Sequence, residues 1–356
     1  DINAQNFRAQ GGAQISTLAL ENGVAGAVNI RATDSVELSG IGVESFQNFL
    51  SKFTISGSIN PFDPQIILVT STNGTGNAGN ITIDTGRLLI DNGSVLGSAT
   101  LGAGNAGNMT FRARVFDMAG SGINSGTIAG STGKGGSFTF EGERLRVRDG
   151  AGIVSITRSE EAAGNINIQA SESVEILRTP DGNPTPTFIG ATAISTKGRA
   201  GDINIDTKRL IISEGGGISL SSGSVVGNQP LNTTAGQGGN LTIRSSESVT
   251  VEGISGVLAN GSRTASFISA DAYSASPGGS MNISTPVITL RDGGIISTAS
   301  LGRGDAGSIT LDAGRVNVIG NGGSGEFNSQ IQISVGIASG VINPNATANA
   351  GSLNLN

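Results

Sequence analysis

The stretch Gly79-Asn80-Ile81-Thr82-Ile83-Asp84-Thr85-Gly86-Arg87-Leu88-Leu89-Ile90-Asp91-Asn92-Gly93 decides the fold, because it returns down the chain. Close copies begin at Gly107, Gly136, Gly164, Gly201, Gly239, Gly279 and Gly307, with a degenerate copy at Gly26 and a truncated one at Gly351. From Gly26 onward the successive spacings are 53, 28, 29, 28, 37, 38, 40, 28 and 44 residues. The unit is therefore 28 residues, and the longer intervals are the same unit carrying inserted loops, since the motif returns in phase after each one. A fixed period of this size signals a repeat architecture.

Within the unit, three strand-like runs at 80–83, 88–90 and 95–100 are separated by Gly, Asn, Asp and Ser. Alternation gives each run one inward face. The first inward pair is Ile81 and Ile83, then Met109 and Phe111, Phe138 and Phe140, Ile166 and Ile168, Ile203 and Ile205, and so on to Ile309 and Leu311. The second runs from Leu88 and Ile90 to Val316 and Val318, and the third, less regular, is marked by Leu96, Ile153, Ile218 and Ile296. A strand that recurs once per unit can stack on its copies only in parallel, each coil burying the apolar face of the next. The expected fold is all-β: a right-handed parallel β-helix, three-sided, with about 28 residues per coil, continuous over 1–356. The spacings place insertions near 42–74, 178–192, 222–236, 255–277 and 320–349.

The residue after the repeat glycine is small and polar at Asn80, Asn108, Ser137, Asn165, Asp202, Asn240, Ser280, Ser308 and Ser352. Stacked side chains there can satisfy backbone groups that the strand bonds miss, while the glycine is expected to supply a positive φ. A row of metal ligands is the less favoured reading, because the calcium-binding nonapeptide pattern is not reproduced in series. No cofactor or metal is expected.

Composition agrees with a thin, layered core. Glycine is 57 of 356 residues, aromatics are 4%, and His, Cys and Trp are absent. With net charge −6 and no run of Lys or Arg, nucleic acid is not an expected partner. No apolar stretch approaches the ~20 residues of a membrane-crossing helix.

The segment Gly-Asn-Ala-Gly-Asn-Ile-Thr-Ile at 76–83, with Ser171-Glu172-Ser173-Val174-Glu175-Ile176 and Arg291-Asp292-Gly293-Gly294-Ile295-Ile296-Ser297, resembles the exoproteins of two-partner secretion, the filamentous-haemagglutinin-like family and its cyanobacterial members in particular. The resemblance covers nearly the whole chain at repeat level. It implies export, unfolded, through an outer-membrane partner barrel, and roles as adhesins, surface fibres or stalks at the cell surface. The family's amino-terminal recognition module is not evident, and Asp1-Ile2-Asn3-Ala4 is not a signal peptide, so an export signal is expected upstream.

Catalysis is not expected. Acids occur mostly singly, at turn-like places such as Asp91, Asp117, Asp149 and Asp292, and only Glu160-Glu161 forms a local surplus. A polysaccharide-binding or polysaccharide-degrading β-helix is the alternative, and clustered acids with Arg or Lys along one face would favour it. Arg303-Gly304-Asp305 and the Asn-x-Ser/Thr triplets are products of the repeat. Candidate partner-contact residues are Phe46, Phe49, Phe53 and Phe62 in the first insertion, with Tyr273. The four phenylalanines are read preferentially as a hydrophobic satellite anchoring that long loop. Asp1-Ile2-Asn3 aligns with Asp202-Ile203-Asn204 and Ser352-Leu353-Asn354-Leu355 with Ser280-Met281-Asn282-Ile283. Both ends thus break inside a repeat, and continuation of the coils or end-to-end self-association is expected.

Overall fold

The computed structural model describes residues 1–356 except 57–62, 195–196, 224, 227–228, 231–234, 321–326, 336, 339–340 and 343–345. For 50–56 and two small hairpins at 225–230 and 337–342 it describes the backbone alone. Two long parallel sheets run the length of the molecule, one of eleven strands and one of ten, each ordered as the strands follow in the chain. The chain is a parallel β-helix.

Each coil contributes one long strand, such as Met109–Ala119 or Ile203–Ser213, and one short strand, such as Val95–Thr100 or Phe267–Ala272. The first two runs read from the sequence are therefore one strand, not two. Alternation slips once inside it: Ala113 is buried, Arg114 and Val115 both face outward, and Phe116 is buried again. Two successive outward residues turn the strand without breaking its ladder, so the three inward faces lie on two hydrogen-bonded sheets.

The inward columns keep register. Ile81, Met109, Phe138, Ile166 and Ile203 are successive neighbours and each is 0% exposed. On the short sheet Leu96, Ile123, Ile153, Ile189, Ile218, Ile268 and Ile296 form one column. Phe111 meets Phe138 edge-on at 5.4 Å between ring centres, the preferred geometry of aromatic pairs. Two further columns were not read from the sequence: Thr70, Ser98, Ser155 and Thr298 point inward, as do Thr100, Thr127, Thr157 and Ser300. Their hydroxyls reach the next corner, as in Ser155 to Gly164 O (2.7 Å), Thr298 to Gly307 O (2.7 Å) and Ser300 to Gly304 O (2.6 Å).

Four expectations change. The repeat glycines do not have positive φ; that conformation belongs to the other corner, at Asn92-Gly93, Asp149-Gly150, Glu214-Gly215 and Asp292-Gly293. The repeat glycines are required instead by close approach, since a Cβ on Gly164 would overlap Gly136 O, and one on Gly201 would overlap Gly164 O. Ile2 pairs with Ile30, hence with Ile83 and Ile205, two residues away from the aligned Ile203. Val316 and Val318 hold their register beneath Ile288 and Leu290 but are 36% and 46% exposed, because the strand Leu353–Leu355 pairs only with Ile309–Leu311. Asp91 and Asp117 lie on strands, while Asp149 and Asp292 occupy the turn.

Inserted residues are fewer than the spacings mark. The short strands Ile66–Thr72, Phe267–Ala272 and Gln330–Val335 fall inside three of those ranges, Phe188–Ala193 overlaps a fourth, and all belong to the coils. What remains is the helix Val43–Ser56, the loops 178–187 and 254–265, and the two hairpins.

The close approach at the repeat glycines has a measurable consequence. Gly164→Ala is expected to lower Tm by roughly 5 °C or more. Gly26→Ala, at the equivalent position but facing only Thr17 Cγ2 at 3.9 Å, is expected to leave Tm nearly unchanged in the same thermal melt.

Candidate functional site

Three surface features compete for a functional role: the outer face of the long sheet, the crest of inserted loops, and the outer face of the short sheet. The first carries most of the charge. One outward column reads Arg31, Asp84, Arg112, Glu141, Gln169, Asp206, Arg244, Ser284, Asp312, with no two like charges adjacent. Arg112 meets Glu141 at 2.9 Å and Asp84 at 3.4 Å, one coil above and one below, and these two carboxylates raise the pKa of its guanidinium. Neighbouring columns repeat the scheme: Arg146 with Glu175 (2.9 Å), Arg148 with Asp117 (3.0 Å), Arg178 with Asp149 (2.6 Å), Lys208 with Glu172 (2.8 Å), Arg209 with Glu247 (2.8 Å). Most stacked acids are thus separated by a cation, but Glu141 and Asp206 flank the neutral Gln169 and line one open trough with Lys208. Glu160 and Glu161 part likewise, toward Lys197 at 3.1 Å and Lys134 at 3.9 Å. Among the described residues no group of three or more Asp and Glu could hold a metal ion.

The inserted loops flank the short sheet and touch one another. Gln47 Nε2, on the helix, donates to Asn183 Oδ1 (2.8 Å). The loop 178–187 is bound in turn to 254–265, by Val257 N to Asp181 Oδ1 (2.7 Å), Gly256 N to Thr179 O (2.8 Å) and Ala259 N to Asn183 O (2.9 Å). The result is one crest crossing several coils, carrying the exposed Ile41, Val43 and Val257. Sequence spacing could locate these loops but not their mutual contact, which joins residues 76 and 136 positions apart.

Of the candidate contact residues, Phe46 is 3% exposed and packs with Ile66, Val69 and Val95, with Phe49 against that cluster. The helix is thereby anchored to the outer face of the short sheet. Phe62 and the side chain of Phe53 lie outside the described residues. Tyr273 packs on Ala299 and Leu301 and its hydroxyl donates to Asp271 Oδ2 (3.0 Å).

Asp271 was not singled out from the sequence. It lies on the outer face of the short sheet yet is 2% exposed. Burial pushes its carboxyl up to about 6, opposed by hydrogen bonds from Tyr273, the Ala299 N–H and Ser269. Nothing in the local sequence Ile268-Ser269-Ala270-Asp271-Ala272 distinguishes it from an outward acid; its burial comes from what covers the sheet. No family model, no curated protein and no solved structure matches this chain.

Two measurements check these assignments. Because the folded carboxyl of Asp271 titrates above its ordinary value of 3.8, its contribution to stability is full below pH 4 and is lost as pH rises to about 6, by roughly 3 kcal/mol. Asp271→Asn should abolish that decline in denaturant melts across this window. Exposed ion pairs are each worth about 1 kcal/mol or less. Arg112→Glu, which sets three acids in line, should still lower Tm by a few degrees at low ionic strength, and added salt should shrink the loss.

Proposed function

We propose that this chain is a structural and adhesive shaft of an extracellular surface, exported through an outer-membrane partner barrel and folded outside the cell. The observation that carries this reading is the uninterrupted stack whose charged side chains neutralise one another from coil to coil. Such a face stiffens and solubilises a rod. The two acids that share its open trough are held in ion pairs, Glu141 with Arg112 and Asp206 with Arg244, whereas glycoside hydrolysis needs carboxylates free to act as acid and as base or nucleophile. The crest of mutually bonded loops supports the adhesive part, since loops fixed on a rigid scaffold are where recognition concentrates. The route of export rests on the family resemblance of the repeats.

Clustered acids with Arg and Lys along one sheet are also what a polysaccharide-processing β-helix would display, at Glu172, Lys208, Arg209 and Glu247 for example. Their pairing argues for structure over chemistry. Imaging of the native assembly at subunit resolution should show the coils within a surface-attached rod or layer. Reducing-end assays on acidic and neutral polysaccharides should show no release above a heat-denatured control. Catalytic release, or a native protein confined to the cell interior, would overturn the proposal.

A further inference from the structure

One corner of the coils carries two parallel rows of amides. In the first row Asn77 Oδ1 accepts Asn105 N (2.9 Å) and Asn105 Oδ1 accepts Lys134 N (2.9 Å). In the second, Asn80 Oδ1 accepts Asn108 N (2.8 Å) and Asn108 Oδ1 accepts Ser137 N (2.9 Å). With every Oδ1 committed to the next coil, each amide is held in one orientation and its NH2 group faces away from the backbone. All four asparagines are exposed. Among the described residues none of their Nδ2 atoms donates to the protein.

Between the rows lies a surface trough floored by Ala25, Ala78, Gly79, Ala106 and Gly107 and extended by Lys134. No carboxylate lines it, in a chain of net charge −6. The nearby acid is Glu161, in a loose, exposed contact with Lys134 at 3.9 Å. The trough therefore offers hydrogen-bond donors on two successive coils ~4.8 Å apart and the charge of Lys134 on a third, over a floor of Ala and Gly with the exposed Val24 at one end.

We infer that this trough binds an extended acidic polysaccharide lying along the shaft, its carboxylate or sulfate groups accepting from Asn77, Asn80, Asn105, Asn108 and Lys134. An extended polymer meets the donor pair on two successive coils and Lys134 on the third, so it gains contacts on three coils where a compact anion gains one, and charge-assisted bonds are the stronger kind. Hydroxyls of a neutral chain would gain only the amide contacts. This assignment deepens the adhesive reading by naming a ligand class, but it concerns binding in solution and stands or falls apart from export and assembly.

The test is calorimetric titration of the full chain at low ionic strength with polygalacturonate, dextran sulfate and neutral dextran. Asn→Asp is the informative change because a carboxylate oxygen still accepts the backbone N–H of the next coil, as Asp202 does for Asn240 N (2.8 Å), while the donor becomes a negative oxygen. The double variant Asn77→Asp/Asn105→Asp should stay folded, losing no more than the few degrees that two stacked acids cost at low ionic strength, and should lose at least tenfold in affinity. The remote Asn260→Asp, whose Oδ1 accepts Ser262 N (3.0 Å), should bind as wild type does. Binding of polygalacturonate alone identifies carboxylates as the recognised group, of dextran sulfate alone sulfates, and of both a shared requirement for anions. Binding of neither, equal binding of dextran, or unchanged affinity in the double variant would overturn the proposal.

Discussion

Everything in this molecule depends on one close contact: backbone laid directly on backbone at the glycine corner. Down the column Gly79, Gly107, Gly136, Gly164, Gly201, Gly239, Gly279 and Gly307, a side chain at each position would occupy the carbonyl oxygen of the glycine below. The corner can then close only if the residue that follows is short and bears an acceptor. From Asn80 through Asn108, Ser137, Asn165, Asp202, Asn240 and Ser280 to Ser308, each side-chain oxygen accepts the backbone N–H of the next coil, at 2.8–3.2 Å, the last donor being Ser352 N. Glycine permits the approach and the polar neighbour compensates the amide it would otherwise strand.

With the corner closed, the other surfaces follow. Inside, apolar columns on the long sheet face two hydroxyl columns on the short sheet, whose Ser and Thr spend their hydrogen bonds on the same corner. Fully buried aromatic bulk is concentrated in one region, where Phe111, Phe116, Phe138 and Phe140 meet edge-on or tilted. Outside, charge alternates along the axis. A slip of one coil would set like charges together, so the ion pairs contribute more to register than to stability.

The long apolar columns were legible in the sequence because each rests on a two-residue alternation repeated many times. Ile2 was misplaced by two residues because residue 1 falls after the corner position, so no Gly-Asn pair anchors the alignment there. The union of the first two runs into one strand was hidden by Gly86, which reads as a turn but stands where the strand bends between Thr85 and Leu88. The glycine role was misread for a related reason: sequence shows that a Cβ is excluded, not whether φ or a neighbouring coil excludes it. Asp271 and the loop crest were beyond reach, since both arise from contacts between segments with no shared pattern.

Residue-resolved hydrogen exchange tests the corner most directly. Backbone amides of Asn108, Asp202 and Asn240, held by Asn80, Asn165 and Asp202 respectively, should exchange as slowly as the strand amide of Ile205. Exchange of these corner amides at the rate of an open loop, with Ile205 still protected, would contradict the account.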